Sequence, residues 1–354
     1  MIKRIVVIPG DGIGTEITAA AMQVCQKAAE KNGFQLKMKV ELAGGAAIDA
    51  TGVPLPEATI AACQQADAVL LGAVGGPKWD HVEPGLRPEK AILGLRQALG
   101  LYANLRPVKV FESLLDHSPL KREIISGVDM VIVRELNGGI YYGKRSEGSG
   151  SGKEEAWDTE IYTTREVERI MQMACKIAAE RSKRVTSVDK ANVLASSRLW
   201  RRAAEAVAAS HPDILLSHLY VDNCAMQLVL APSQFDVVVT NNIFGDILSD
   251  EAAVITGSIG LLPSASLGDG TGLYEPIHGS APDIAGKGIA NPLGTILSAA
   301  MMFRHSLEQP IVASQIEAAV ERVLAQGYRT ADLYKPGMIK VSTEEMGRLV
   351  IQNM

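Results

Sequence analysis

Short apolar runs alternate with amphipathic segments through most of this 354-residue chain. The run 3–8 predicts a strand, and the segment 15–31, whose apolar residues recur at helical spacing, predicts the helix that follows it. The runs 68–71, 130–134 and 235–240 predict further buried strands. Such alternation is typical of an α/β architecture. The length favours one large domain or two closely associated ones.

Two regions interrupt the alternation. The segment 147–153 is rich in Gly and Ser and predicts a flexible, exposed arm. The segment 264–292 is rich in Gly and Pro, so little regular structure is expected there, and an irregular loop of that length is usually functional. Elsewhere the periodicity predicts helices at 88–99, 164–182, 198–210, 244–256, 292–305 and 314–326.

Charge and composition exclude several classes of protein. The net charge is −5 and no block of like charges occurs, which argues against nucleic acid as a partner. No apolar run reaches membrane-spanning length, and a strand pattern begins at once without a signal sequence. The four cysteines are far apart, which favours reduced, buried thiols in a cytoplasmic protein over a zinc site or disulfides.

The segment Gly10-Asp11-Gly12-Ile13-Gly14 lies between a predicted strand and a predicted helix, where a dinucleotide fingerprint would stand. Its third glycine comes one residue too early for G-x-G-x-x-G. We therefore predict a tight structural turn, and no ordinary Rossmann cofactor site.

Acidic and basic residues follow three predicted strands. Asp246 and Asp250 are four apart and share one face near the start of a helix, while Lys190 and Asp222 each follow another strand. The carboxyl ends of parallel strands form ligand sites in α/β sheets, and carboxylate oxygens suit Mg²⁺ or Mn²⁺. Acids in a first helical turn can also serve only the helix dipole, so that interpretation stays open for each position alone.

Three arginines are candidates for binding carboxylates. Arg106 stands in an extended Leu-Arg-Pro segment and Arg134 ends a strand, and each guanidinium can hold a carboxylate in bidentate fashion. Taken alone, the helix predicted at 88–99 is better explained as packing its apolar stripe into the core. One face of that helix carries, at helical spacing, Glu89, Ile92, Leu93 and Arg96.

Together these segments resemble the β-decarboxylating hydroxyacid dehydrogenases, the family of isocitrate and isopropylmalate dehydrogenases. The similarity covers essentially the whole chain, and its longest and most specific segment is 278–292. The segments that carry it are 8–16, 95–96, 104–107, 134–143, 189–192, 221–222, 242–250 and 278–292.

The resemblance implies roles for individual residues. Tyr141 matches the catalytic acid and Lys190 the catalytic base. The substrate-binding residues would be Arg96, Arg106, Arg134 and Asp222, with Glu89, Ile92 and Leu93 near the substrate's side chain. The metal ligands would be Asp222, Asp246 and Asp250. NAD would lie along Glu275, His278, Gly279, Ser280, Ala281, Asp283, Ile284 and Asn291.

The resemblance also implies the organisation of the molecule. We expect a two-domain α/β fold of the isocitrate/isopropylmalate dehydrogenase type, not a standard Rossmann fold, with a protruding β arm near 140–165. A discontinuous cofactor-side domain would comprise 1–101 and 257–354, and 102–256 would form the metal, catalytic and dimerisation domain. Members of the family are homodimers with shared active sites, so Lys190 and Asp222 would act in the partner subunit's site.

Substrate and cofactor choice depend on few residues. Ile92 and Leu93 offer hydrocarbon, which favours an isopropyl group over the third carboxylate of isocitrate. Asp283 favours NAD, because a carboxylate repels the 2′-phosphate of NADP. The expected reaction is the NAD- and metal-dependent oxidative decarboxylation of 3-isopropylmalate to 4-methyl-2-oxopentanoate in leucine biosynthesis.

Two alternatives are weighed against this function. D-malate and tartrate dehydrogenases of the same family keep the same charged residues. A noncatalytic regulatory subunit would be expected to lose Lys190, Tyr141 or a metal carboxylate, and this chain has all of them.

Overall fold

The structure, a computed structural model, describes residues 2–146 and 155–354. The Gly/Ser-rich segment predicted as an arm at 147–153 lies outside the described residues. The strands are Ile2–Gly10 (β1), Gln35–Val40 (β2), Ala68–Ala73 (β3), Ala103–Lys109 (β4), Asp129–Glu135 (β5), Arg145–Ser146 (β6), Trp157–Asp158 (β7), Arg184–Asp189 (β8), Leu215–Tyr220 (β9), Val237–Thr240 (β10), Pro263–Leu267 (β11), Gly272–Pro276 (β12), Tyr328–Arg329 (β13) and Ile339–Lys340 (β14).

Helices connect these strands. They are Gly14–Lys31 (α1), Gly45–Thr51 (α2), Glu57–Gln64 (α3), Lys90–Ala98 (α4), Arg122–Ile125 (α5), Thr164–Ala179 (α6), Ala195–Ala209 (α7), Val221–Leu230 (α8), Asn242–Ile255 (α9), Leu293–His305 (α10), Pro310–Ala325 (α11) and Thr343–Asn353 (α12). Short 3₁₀ turns include Pro77–Trp79, Glu112–His117 and Gly139–Tyr141. In the described part of the chain no helix is both long and apolar enough to cross a membrane.

The first compact unit contains residues up to 101, 111–119 and from 256 onwards. Its strands follow the order β2-β1-β3-β12-β11, with parallel pairing except between β11 and β12. The central residues 5–8 of β1 and all residues of β3 are buried. α1 and α10 pack on these strands, and residues of α3 and α4 form an apolar cluster with them. α11 and α12 pack against these helices, and α10 is buried along almost its whole length.

The segment 111–119 belongs to this first unit, whereas the predicted division assigned it to the second domain. Hydrogen bonds to the C-terminal part of the chain hold it there. Arg329 Nη2 donates to the carbonyl oxygen of Ser113 at 2.9 Å, and His117 Nε2 lies 2.8 Å from the carbonyl oxygen of Leu333. Such contacts between distant parts of the chain leave no pattern in the sequence.

The second unit contains 102–110 and 120–255. Its strand order is β4-β5-β10-β8-β9, with β4 antiparallel to β5 and the other pairs parallel. α6 and α7 pack on this sheet through an apolar face, and α9 packs on β4, β5 and α8. β6 and β7 form a short antiparallel pair at the two ends of the segment that is not described.

The predicted helices and strands are present, with ends that differ by a few residues. The expectation of little regular structure across 264–292 is wrong for the first half of that segment, which forms β11 and β12. Leu273 pairs with Val69 and Tyr274 with Leu70 in β3, so pairing with distant strands overrides the local Gly and Pro content. The irregular loop is 277–292.

Two smaller predictions are confirmed. The four cysteines are buried free thiols. The Gly10–Gly14 segment is a tight turn, since Gly10 has φ +70° and an added Cβ there would lie 1.9 Å from the carbonyl oxygen of Ala73.

Candidate active site

The second unit brings two arginines against two aspartates. β4 carries Arg106, β5 ends near Arg134, and the first turns of α9 carry Asp246 and Asp250. Arg134 Nη1 donates to Asp246 Oδ1, and Arg106 Nη1 donates to Asp250 Oδ1 at 3.2 Å. The arginines are buried, while the side chains of Asp246 and Asp250 are 37% and 68% exposed. The carboxylates are therefore open to a ligand, and the cations are fixed behind them.

Neutral oxygen acceptors hold the two guanidinium groups in place. Asn242 Oδ1 accepts hydrogen bonds from both Nε and Nη2 of Arg134, at 3.1 and 2.8 Å. Asn104 Oδ1 accepts from Arg106 Nε at 2.8 Å, and Ser249 Oγ accepts from its Nη1. These supporting residues were not assigned roles from the sequence, although Asn104 and Asn242 stand inside the motifs 104–107 and 242–250.

Gly245 permits α9 to approach the strand. An added Cβ at this position would lie 2.6 Å from Cγ and 2.8 Å from Cβ of Arg134. Because those atoms belong to a buried side chain, they have little room to move. The glycine therefore brings the first turn of α9 close enough for Asp246 to meet Arg134.

Tyr141 completes this cluster. It ends the 3₁₀ turn Gly139–Tyr141, and its hydroxyl donates to Asp246 Oδ2 at 3.0 Å. The guanidinium carbon of Arg134 lies 5.9 Å from the centre of its ring. Burial, and next the negative charge of Asp246, raise the pKa of the Tyr141 hydroxyl. The phenol therefore keeps its proton at neutral pH, as the predicted acid must.

Lys190 and Asp222 form a second cluster in the same unit. Lys190 directly follows β8, Asp222 lies in the first turn of α8, and Nζ is 2.8 Å from Oδ1. The hydrogen bond from Lys190 lowers the pKa of Asp222. Within residues 2–146 and 155–354, no group of three or more acidic, His or Cys side chains is close enough to share a metal ion. Of the predicted metal ligands, Asp246 and Asp250 are together, and Asp222 pairs with Lys190.

In the first unit, Arg96 binds Glu275. Arg96 Nη2 donates to Glu275 Oε1 at 3.1 Å, and both side chains are largely buried. Arg96 Nε is also buried and has no hydrogen-bond partner among the described residues. This unused donor suits the carboxylate that Arg96 is predicted to bind, since a buried N–H without a partner is costly.

The predicted pocket residues of α4 have different surroundings. Ile92 packs partly against the core cluster that contains Leu71 and Leu95. Leu93 is 43% exposed, so it is available to an apolar group of a ligand. Glu89 is exposed and precedes α4, with Oε1 close to Gly75.

Most of the predicted cofactor residues lie in the loop 277–292. His278 Nδ1 is 2.9 Å from the carbonyl oxygen of Gly279, and Nε2 is buried without a hydrogen-bond partner in the part of the chain that the structure describes. Burial lowers the pKa of His278, so its imidazole is neutral at pH 7. Among the residues that the structure describes, no atom lies within 4 Å of a Cβ added at Gly279. Asp283 is exposed. Gly279 and Asp283 are therefore accessible to a ligand, and within 2–146 and 155–354 His278 keeps a ring nitrogen without a partner.

Three other predicted cofactor residues attach the loop to the rest of the first unit: Ser280, Ala281 and Ile284. Ser280 is buried, and its carbonyl oxygen accepts from the backbone N of Ile13 at 2.8 Å. Ala281 and Ile284 pack against the cluster formed by Ile13, Ile17 and Ala290.

Asn291 closes the loop. It donates to Asp332 Oδ2 at 3.0 Å and accepts from the backbone N of Leu293, at the start of α10. Its amide group is therefore engaged in holding the end of the loop to the helix.

The sequence of the chain decides the family. Over residues 4–350 it matches the family described as isocitrate/isopropylmalate dehydrogenase. The chain belongs to this family. The α/β fold class and the recognition made from the motifs are thereby confirmed, and the chain is an oxidoreductase.

Relatives with curated names are similar over their whole length. The 3-isopropylmalate dehydrogenase of Clostridium pasteurianum is 59% identical over 353 residues, covering 99% of each chain. That of Aquifex aeolicus is 54% identical, covering 99% of this chain and 97% of the relative. Among solved structures, isocitrate dehydrogenase from Methylococcus capsulatus has 37% identity and a TM-score of 0.87, with 99% of both chains covered. A β-decarboxylating dehydrogenase from Thermococcus kodakarensis has a TM-score of 0.83 at 37% identity, covering 99% and 96%.

Proposed function

We propose that the chain catalyses the NAD- and divalent-metal-dependent oxidative decarboxylation of 3-isopropylmalate, the reaction of leucine biosynthesis. The observation that carries this proposal is the cluster of Arg106 and Arg134 with Asp246 and Asp250, with Tyr141 beside it. Relatives that are named for this activity, 54–59% identical over nearly the whole chain, support the choice of substrate.

The charges of this cluster fit a dicarboxylate chelated to a cation. A substrate carboxylate would bind the guanidinium groups of Arg106 and Arg134, which are already held by Asn104 and Asn242. A cation would bind the carboxylate of Asp246 and thereby replace Arg134 as its positively charged partner. Each group then exchanges one partner of opposite charge for another, so no buried charge is left unpaired.

The aspartates also fit a hard divalent metal by their chemistry. Asp246 and Asp250 provide exposed carboxylate oxygens one helical turn apart, the ligand type that Mg²⁺ and Mn²⁺ prefer. We propose that Asp222 of a second subunit supplies the third carboxylate ligand. A divalent cation held there would supply positive charge that polarises the oxygens of the substrate during oxidation and decarboxylation.

The residues of the chain would then divide the proton transfers. Lys190 would take the proton of the substrate's 2-hydroxyl group, and NAD, when bound along the loop 277–292, would supply the acceptor for the hydride of C2. Arg106 and Arg134 hold the carboxylates in a fixed orientation, so that the β-carboxylate can depart as carbon dioxide. Tyr141, whose pKa is raised by burial, then donates its proton to the carbon that lost the carboxylate.

In the part of the chain that the structure describes, the loop 277–292 offers NAD a polar atom without a partner, open space and an exposed carboxylate. The buried Nε2 of His278 has no hydrogen-bond partner within the described residues, and Gly279 has open space above it. Asp283 is exposed, where its carboxylate can accept hydrogen bonds from ribose hydroxyls and repel a 2′-phosphate. These residues would bind the adenosine half of the cofactor.

We further propose a homodimer in which Lys190 and Asp222 serve the site of the other subunit. Within one chain these two residues bind each other and form no hydrogen bond or ion pair with Tyr141 or Asp246 across 2–146 and 155–354. Each chain therefore carries two partial sites, and a second copy would complete both.

An assay panel tests the proposed function. Purified protein with Mg²⁺ or Mn²⁺ is offered 3-isopropylmalate, D-malate, tartrate or isocitrate, each with NAD and with NADP, and reduced cofactor is followed by absorbance. The highest kcat/KM is expected with 3-isopropylmalate and NAD. A higher value with D-malate or tartrate would support the related dehydrogenase, and no turnover with any pair would leave a noncatalytic protein as the better conclusion.

The metal has its own test. We expect Asp246→Asn to weaken Mn²⁺ binding and to lower kcat by at least about 100-fold, since one of few charged ligands is lost. Circular dichroism should be unchanged, because Asp246 is partly exposed. Asp213→Asn, at an exposed carboxylate 3.8 Å from Lys183, is the matched control. Full activity of wild-type protein after rigorous metal removal would contradict the proposal.

A further inference from the structure

The turn that fails as a dinucleotide fingerprint is nevertheless a rigid part of the first unit. Asp11 is buried, and its carboxylate accepts three backbone N–H groups: from Gly45 at 2.8 Å, Ala46 at 2.7 Å and Gly75 at 2.8 Å. Hydrogen bonds to a charged acceptor are stronger than those between neutral groups. The carboxylate therefore fixes the turn to two neighbouring segments.

The loop 277–292 lies directly on this turn. The backbone N of Ile13 donates to the carbonyl oxygen of Ser280 at 2.8 Å, and a Cβ added at Gly12 would lie 2.1 Å from the same oxygen. At the far end of the loop, Glu16 Oε2 accepts from the backbone N of Gly288 at 3.0 Å. Between these bonds, Ile284 packs on the apolar residues of the turn and of α1.

This attachment holds a backbone conformation that the loop would not favour alone. Ala281 has φ +38°, in the left-handed region that disfavours any residue with a Cβ. Such a residue persists only when its surroundings fix it. The Ile13–Ser280 bond and the apolar contacts of Ile284 provide that restraint on either side of it.

We propose that Glu16 is a positioning residue for the dinucleotide: through Gly288 it holds the loop in the conformation that receives the cofactor. The turn thus serves cofactor binding without contacting phosphate itself. The inference rests on the proposed function only in naming NAD as the ligand of the loop. Within the described residues Gly288 is the one hydrogen-bond partner of the Glu16 carboxylate, whose other oxygen is buried without a partner, so a change at Glu16 tests a single interaction.

The first readout needs no cofactor and no activity. Lys287 is exposed and precedes Gly288, so trypsin can cleave there when the loop opens. We expect Glu16→Ala to raise the rate of cleavage after Lys287 at least about threefold, because the loop opens more often when an anchoring bond is lost. Glu16→Gln keeps an oxygen that can accept from Gly288, and it should restore slow cleavage. Glu30→Ala on the same helix, which removes an exposed ion pair with Lys27, is the matched control.

The second readout compares the effect of the variant on the KM for NAD with its effect on the KM for 3-isopropylmalate. We expect Glu16→Ala to raise the KM for NAD about tenfold, in line with the loss of one charged hydrogen bond, while the KM for 3-isopropylmalate stays within about twofold. In calorimetry with NAD alone, the dissociation constant of Glu16→Ala should exceed that of the wild type by the same factor. Glu16→Gln should return both values towards wild type.

Three results would overturn the inference. They are unchanged cleavage after Lys287, faster cleavage with an unchanged KM for NAD, and an equal rise of both Michaelis constants. If wild-type protein does not turn over 3-isopropylmalate, the proposed function fails, whereas the proteolysis of the ligand-free protein still decides whether Glu16 holds the loop.

Discussion

Amide side chains fix the orientation of the charged residues in the candidate site. Asn242 accepts two hydrogen bonds from Arg134, and its own N–H₂ group donates to the carbonyl oxygens of Leu136 and Gly138. Asn242 thus orients Arg134 and is itself fixed by hydrogen bonds to the backbone. The sequence predicted Arg134 because guanidinium groups at strand ends are candidates for carboxylate binding. It assigned no role to Asn242, since an asparagine at a strand end equally suits a helix cap or a turn.

The exposed side chain of Leu93 gives a prediction at the scale of a single residue. Leu93 is 43% exposed, so truncation should change the free energy of unfolding by no more than about 0.5 kcal/mol. If the substrate's isopropyl group contacts Leu93, the change Leu93→Ala should lower the ratio of kcat/KM for 3-isopropylmalate to kcat/KM for D-malate. A fall of about 10-fold or more is expected, because the loss of a small apolar contact changes specificity by that factor. Leu42→Ala, at a leucine that is 42% exposed, is the control. An unchanged ratio would remove Leu93 from the pocket.

Among the elements, β1, β3, β5 and β10 were predictable from short apolar runs, and the long helices were predictable because their apolar residues repeat at helical spacing. β11 and β12 were not, since they lie in a segment rich in Gly and Pro. The pairing of β12 with β3 and of β11 with β12 makes them strands. The irregular remainder of that segment, 277–292, was predicted as functional from its length, and its residues have both open space and unused polar atoms. Local pattern thus located the loop, whereas its attachment to the turn at Gly12 and Ile13 depends on contacts between residues far apart in the chain.

A second prediction concerns the start of α6. Thr163 and Glu166 form a capping box, in which Thr163 Oγ1 accepts from the backbone N of Glu166 and Glu166 Oε2 accepts from that of Thr163. The preceding residue, Tyr162, accepts from the backbone N of Asn242 at 2.9 Å. Thr163→Ala should lower the free energy of unfolding by about 1 kcal/mol, measured by urea denaturation.

The neighbouring Thr164 provides the matched control for this change. Its side chain makes no hydrogen bond within the described residues, so Thr164→Ala should alter stability much less. If the two variants are equally stable, the capping box contributes nothing measurable. A fall in kcat for Thr163→Ala alone would indicate that the helix start also positions Asn242 through Tyr162.

At the scale of the whole molecule, each chain contains two clusters that do not share a hydrogen bond or ion pair in 2–146 and 155–354. One holds Arg134, Tyr141 and Asp246, and the other holds Lys190 and Asp222. Dehydrogenation followed by decarboxylation needs a base for the hydroxyl proton as well as an acid for the carbon. A single chain places the predicted base with Asp222 and the predicted acid with Asp246, and this separation is what a shared site between two copies would require. Sequence motifs cannot distinguish one arrangement from the other, because they do not say which copy a side chain belongs to.

Mixing two inactive variants tests this arrangement. Lys190→Ala lacks the proposed base and Asp246→Asn lacks a proposed metal ligand, so each homodimer should lose at least about 100-fold in kcat. If Lys190 serves the partner's site, a heterodimer of the two collects both lesions in one site and none in the other. Activity of about half the wild-type value per heterodimer is then expected after subunits exchange, because one of two sites is intact. Exchange is verified with a mass tag on one variant, and a mixture of Lys190→Ala with wild type provides the control for dilution. Proven exchange without recovery of activity would mean that each site is built from one chain.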